Sequence, residues 1–288
     1  MDPTRTALPG GRWHFAHGPI ELIIEADGGT DGDVRVAHEA AWQRFASVLP
    51  ELVAELALLR QPVRPGPCPL QGAVARRMWR ACAALPTHFI TPMAAVAGAV
   101  AEEVLSVYTR AGLRRAYVNN GGDIALHLAP NAEWRVGLVA DIARREMALD
   151  GRFTVRGTDP VRGLATSGWR GRSHSMGIAD AVTVLASTAA AADAAATVIA
   201  NAVDAADTRI ERAPASSLRD DSDLGERLVT VNVPALPAPL VAEALRSGVA
   251  VAQHLQRLGL IHAAVLACQG QLQSVQPKNA HIALPLAA

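Results

Sequence analysis

Tyr117-Val118-Asn119-Asn120-Gly121-Gly122-Asp123-Ile124-Ala125-Leu126-His127-Leu128 sets the fold class, together with Trp134-Arg135-Val136-Gly137-Leu138-Val139 a few residues on. Apolar runs alternate here with very short polar gaps, too short to hold a crossover helix. Phe153-Thr154-Val155 and Leu164-Ala165-Thr166 continue the series as short strands. Ala181 to Ala186 reads as a buried strand, with Val182, Val184 and Leu185. Consecutive strands on short connections imply antiparallel pairing, so the expected class is α+β, with mixed or antiparallel sheets flanked by helices.

Working outward, residues 11–26 alternate and then turn apolar, as a strand or hairpin does, and Asp27 to Asp33 is a Gly/Asp turn cluster. From Val34 to Arg60, Val36, Ala40, Phe45, Val48, Leu52, Leu56 and Leu59 recur at helical spacing. Pro50 is expected to break or restart that helix. Residues 61–69 carry four prolines and form a stiff connector. Further helices are expected over 70–85 and from Pro92 to Arg110, the latter capped by Thr91. Beyond the middle strands come an Ala-rich helix at 189–203, an exposed excursion at 213–227 and a strand from Leu228 to Val233. A helix at 238–258 and a strand at 260–268 complete the reading. No fixed-period repeat or low-complexity linker divides the chain, so residues 1–288 are expected to form one domain, or two closely packed halves.

Composition removes whole classes of function. Lys+Arg is 27 and Asp+Glu is 27, so the formal charge is zero, and aromatics are 4%. Neither suits a nucleic-acid partner. The single lysine is Lys278, which leaves no Gly-Lys-Ser/Thr phosphate loop and no strand lysine of the kinase kind. Cys68, Cys82 and Cys268 are odd in number and form no C-x-x-C, which argues against zinc ribbons and disulfide frameworks. Met1-Asp2-Pro3-Thr4-Arg5 begins no apolar signal segment, and the most apolar runs are too short to span a bilayer. A cytoplasmic protein without a membrane partner is the expectation.

Three constellations can carry chemistry. Gly121 and Gly122 of Asn119-Asn120-Gly121-Gly122-Asp123 allow positive φ and close backbone approach to a ligand; the same residues equally make a tight turn capped by Asp123. Ala165-Thr166-Ser167-Gly168, followed by Ser173-His174-Ser175, supplies small hydroxyl residues and a histidine fit for a general base; it equally reads as a polar loop. Asp193 and Thr197 stand at i and i+4 on the Ala-rich helix, where their hard oxygens suit Mg²⁺. Asp193 is equally well placed for the helix dipole.

In their order along the chain these stretches resemble the ApbE family of FAD:protein FMN transferases. The matching pieces are Gly121-Gly122-Asp123-Ile124, Trp134-Arg135-Val136-Gly137-Leu138, Ala165-Thr166-Ser167-Gly168, His174, Thr183-Val184 and Ala192-Asp193-Ala194-Ala195-Ala196-Thr197. The resemblance implies the ApbE fold and a site for FAD or FMN with Mg²⁺. FAD would be cleaved and FMN joined to a hydroxyl of an acceptor protein. It assigns His174 to catalysis and Asp193 and Thr197 to the metal. Gly98, Glu102, Gly121, Gly122, Asp123, Thr166, Ser167 and Gly168 fall to the flavin or nucleotide. Ala97 and Ala99 replace a Lys and a Tyr common in the family, and Glu102 stands where it has Asp. His17-Gly18-Pro19-Ile20-Glu21-Leu22 and the run Thr91 to Gly98 resemble an uncharacterised ApbE-like subgroup of methanogens and C1-metabolising bacteria. That subgroup implies an alternative, a ligand-binding or C1-cofactor-biosynthesis protein that reuses the pocket without FMN transfer.

Overall fold

The structure is a computed structural model that describes residues 2–85, 87–109, 113–138 and 151–277. The expectations placed on Arg110, Val139 and Lys278 lie outside these residues. In chain order the elements begin with β1 (Thr4–Leu8), β2 (Arg12–His17), β3 (Ile20–Asp27), α1 (Asp31–Ala54), α2 (Leu56–Leu59) and α3 (Ala73–Ala83). A 3₁₀ turn (Pro92–Ala95) precedes α4 (Val96–Leu105), β4 (Arg115–Asn120), β5 (Asp123–Leu128), β6 (Glu133–Leu138), β7 (Gly151–Arg156), β8 (Gly163–Ser167) and β9 (Ala181–Ala186). The remainder is α5 (Ala189–Ala202), β10 (Glu211–Pro214), α6 (Ala215–Leu218), β11 (Leu228–Asn232), α7 (Ala238–Arg257), β12 (Ala263–Cys268) and β13 (Gln271–Val275). The class is α+β, as the strand series predicts.

These elements gather into two compact units. The first comprises residues 1–134, 155–165 and 186–193, and the second the rest. In the first, the strands run in the order β1-β2-β3-β4-β5-β8, each antiparallel to its neighbours. Burial follows the two-residue period of a one-sided sheet. Phe15 on β2, Leu22 and Ile24 on β3, and Ala116 and Val118 on β4 are buried. Helices α1 and α4 pack against these strands, adding Phe45, Val48, Val100 and Val104 to the core. One register row crosses four strands: Phe15 pairs Leu22, Leu22 pairs Asn120, and Asn120 pairs Asp123. All four are buried, so the row carries two polar side chains, Asn120 and Asp123, into the interior at one end of the sheet.

Two helix boundaries differ from the sequence reading. A Thr30/Asp33 capping box starts α1, and α1 continues through Pro50 to Ala54. Proline removes one backbone donor there, yet the buried stripe of Phe45, Val48 and Leu52 runs on across it. The break comes at Glu55, whose carboxylate accepts the Gln71 and Gly72 N–H groups at 2.7 and 2.6 Å and so serves the start of α3. The helix expected from Pro92 divides into the 3₁₀ turn and α4, and Thr91 makes no side-chain cap. The start of α4 is served from elsewhere, as described below.

In the second unit β9, β12 and β13 are antiparallel neighbours. Every residue of β9 and of β12 is buried, and α7 packs on β12 and β13. The excursion expected at 213–227 contains part of the β10–β11 ribbon and all of α6. Among the described residues, no helix is long and apolar enough to cross a membrane.

Candidate functional site

In the first unit Gly121 and Gly122 form the two-residue turn between β4 and β5, with φ of +64° and +113°. Side chains seldom tolerate that pair of conformations, and glycine adopts it freely. Gly122 N–H donates to Asn119 Oδ1 at 2.8 Å, so this turn is closed by its own sequence. Immediately after it, Asp123 enters the buried row. Asn120 Nδ2 donates to the Ala97 carbonyl in the first turn of α4 at 3.1 Å.

The amide of Gly98, also in that first turn, donates to Asp193 Oδ2 at 3.0 Å, and the Ala97 amide bonds the same carboxyl. Those are two of the donors that the start of a helix leaves unsatisfied. Asp193, from α5, thus caps α4. The favour is returned: Glu102 Oε1, from α4, accepts the Ala190 N–H at the start of α5 at 2.7 Å, while its Oε2 pairs with Arg77 at 2.9 Å. Gly98 lies where the helices meet, and a Cβ there would stand 2.3 Å from the Ala189 carbonyl oxygen.

Asp193 and Asp123 are hydrogen-bonded through their side chains. A bond between two carboxyls needs a proton on one of them. The Asp193 carboxyl is accordingly held well above the usual carboxylate range, first by burial and then by the Asp123 charge, against the opposing pull of the Gly98 and Ala97 amides. Such a pair is relieved by a proton or by a cation. Its oxygens are hard donors, as Mg²⁺ prefers. Among the described residues no group of three or more His, Cys, Asp or Glu forms a complete metal cage.

The second unit holds Thr166, Ser167, Gly168, His174 and Thr197. Thr166 Oγ1 and Thr183 Oγ1 share a hydrogen bond of 2.8 Å between β8 and β9. Gly168 is buried against the chain at Asp180, where a Cβ would meet the Asp180 carbonyl oxygen at 2.3 Å. Beyond it the loop is fastened by Trp169 N–H to the Ala179 carbonyl at 3.0 Å. Ser175 Oγ and the Met176 amide both donate to Asn201 Oδ1, at 3.1 and 2.9 Å. His174, between these fastenings, is half-buried, and its Nε2 is buried with no hydrogen-bond partner among the described residues. Burial, and then the charge of Arg219, lower its pKa, with Asp223 acting in the opposite sense. The imidazole is therefore neutral at pH 7 and able to accept a proton. Thr197 is half-buried one turn beyond Asp193 on α5.

The structure thus gathers Gly98, Glu102, Gly121, Gly122, Asp123 and Asp193 in the first unit and leaves the other five expected residues in the second. Three residues that the sequence reading did not single out matter here. Asn120 ties the β4 end to α4, Asp180 holds the loop after Gly168, and Asn201 holds the loop after His174. Asp180 offered a signal, a lone acid flush against the apolar run Ala181 to Ala186.

Comparison with known proteins bears on the family and the fold. Residues 5–274 match the family described as AbpE bacteria. A UPF0280 protein of Methanopyrus kandleri is 37% identical over 202 residues, covering 67% of this chain and 74% of that protein. Another, from Methanoculleus marisnigri, is 42% identical over 124 residues, and the chain spans 49% of its length. The crystal structure of the ApbE protein of Thermotoga maritima superposes with a TM-score of 0.51 at 13% identity, covering 94% of this chain and 96% of that one. It shares the fold. On a match that spans nearly the whole chain, the protein belongs to the bacterial ApbE family.

Proposed function

We propose that the protein is a Mg²⁺-dependent transferase that takes FAD, passes FMN to a hydroxyl of an acceptor protein and releases AMP. The observation that carries this reading is the Asp123–Asp193 carboxyl pair at the N-terminus of α4. Two adjacent carboxyls sharing a proton, one buried and one half-buried, are costly to keep together in a protein that does not use them. Asp193 and Asp123 offer carboxyl oxygens, hard donors of the kind Mg²⁺ takes, and Thr197 would add a hydroxyl. When bound, the ion would offset the charge of the FAD pyrophosphate. Because the protein supplies few ligands, phosphate oxygens must complete the shell, and ion and nucleotide would bind together.

The chain's own residues would then do the following. Gly122 leaves its backbone open to a ligand, since among the described residues nothing lies within 4 Å of a Cβ placed on it. Thr166, Ser167 and the Gly168 backbone would offer hydroxyl and amide groups to the nucleotide. His174 Nε2, neutral and unpartnered, takes the proton of the acceptor hydroxyl as its oxygen bonds to the FMN phosphorus. The bridging P–O bond breaks and AMP departs. Calorimetry tests the reading: FAD should bind more tightly with Mg²⁺ than with a chelator, and Asp193→Ala should abolish the difference. Equal FAD affinity in all three conditions would overturn it.

A further inference from the structure

We propose that Arg170 binds a phosphate group, its guanidinium being fixed from behind so that its outer edge is free for an anion. Its Nε donates to Asp180 Oδ1 at 2.9 Å, and its guanidinium carbon lies 4.5 Å from the centre of the Trp169 ring. Asp180 does not depend on this arginine for satisfaction. It also accepts Trp169 Nε1 at 3.2 Å and the Gln269 amide. The carboxylate is 9% exposed and the arginine side chain 35%, so the pair has a buried anchor and an open head. Among the described residues neither Nη atom has a hydrogen-bond partner.

That arrangement is informative because of what it leaves over. A guanidinium has five N–H donors in a planar fork. One is used for the anchor and the ring lies against the guanidinium, which leaves the Nη1–Nη2 edge without a partner among the described residues. Such an edge matches two oxygens of a phosphate and needs little ordering when one binds. Arg172, two residues on, is exposed and adds positive charge to the same loop. Asp180 cancels much of the long-range attraction, so affinity should come from the short bidentate contact rather than from net charge. Arg170 stands two residues after Gly168 of Thr166-Ser167-Gly168, and its relevance to a nucleotide rests on the reading above that these residues take part in binding it.

The experiment measures binding of inorganic pyrophosphate, orthophosphate, AMP and FAD to the full chain by calorimetry. Arg170→Ala should weaken pyrophosphate by about 10–100-fold, the scale of hydrogen bonds to a charged group. Arg170→Lys should lose most of the same amount, because the charge is kept and the fork is not. It also carries the test should the alanine variant fail to fold. An equal loss for orthophosphate and AMP assigns the edge to any phosphate; a loss confined to AMP assigns it to a nucleotide phosphate. Pyrophosphate binding that is lost in Arg170→Ala, in a protein that never binds FAD, keeps this site and removes the flavin reading. FAD, AMP and pyrophosphate affinities unchanged in Arg170→Ala, or a wild-type chain that binds none of the inorganic anions or AMP, would overturn the proposal.

Discussion

Asp193 performs two tasks with one carboxyl, capping α4 and facing Asp123, and the second makes it sensitive to pH. Its folded pKa is raised above the unfolded value, so the folded state holds a proton that the unfolded chain has released. Stability must therefore fall as pH rises from the ordinary carboxylate range through the raised value. In urea titrations without divalent ions, as pH rises from the ordinary carboxylate range, the wild type should lose stability relative to Asp193→Asn. Parallel curves for the two would contradict the shared proton. His174 gives a prediction of opposite use. Arg219 helps to lower its pKa, so Arg219→Ala should move the acid limb of any transfer activity to higher pH, and Asp223→Ala to lower pH. An acid limb that stays in place in both variants would separate His174 from the proton transfer. None of this was visible residue by residue in the sequence. Asp193 was legible as either metal ligand or helix-terminus acid, and the structure shows that the terminus it serves belongs to α4 rather than to its own helix.

At the scale of elements, the contact between α4 and the start of α5 is held by exchange. Glu102 caps one helix, Asp193 caps the other, and Gly98 allows the backbones to touch. Gly98→Ala pushes a methyl into the Ala189 carbonyl and should destabilise by about 1–3 kcal/mol, the range for an overpacked contact. Glu102→Ala removes a cap and a partner of Arg77 and should cost about 1 kcal/mol, read from the midpoint of chemical denaturation. A Gly98→Ala variant as stable as the wild type would show that the two helices do not meet as described. Strand pairing was the most legible part of the chain, because short polar gaps between apolar runs permit few arrangements. Helix ends were less so. Pro50 is a breaker by its chemistry, yet burial of Val48 and Leu52 on either side outweighs the loss of one donor. Thr91 looks like a cap, yet α4 starts after a 3₁₀ turn and takes its cap from a residue nearly a hundred positions away, which no local pattern reveals.

For the molecule as a whole, the ordered series of motifs was more informative than any one of them, and the fold and family that they resembled are the ones found. The chain crosses between its two units within three of those motifs, at Trp134–Arg135, Ala165–Thr166 and Asp193–Ala194. What the sequence could not convey was the fastening of the loops by Asp180, Asn201 and Asn120, since those bonds join positions far apart in the chain. The most direct measurement follows AMP release from FAD by chromatography, with Mg²⁺ and a protein extract as the source of acceptor. The account predicts release that stops with a chelator and falls by about 10²–10⁴-fold in His174→Ala, the usual scale for losing an acid–base group. FAD recovered intact, or AMP released equally by His174→Ala, would contradict it.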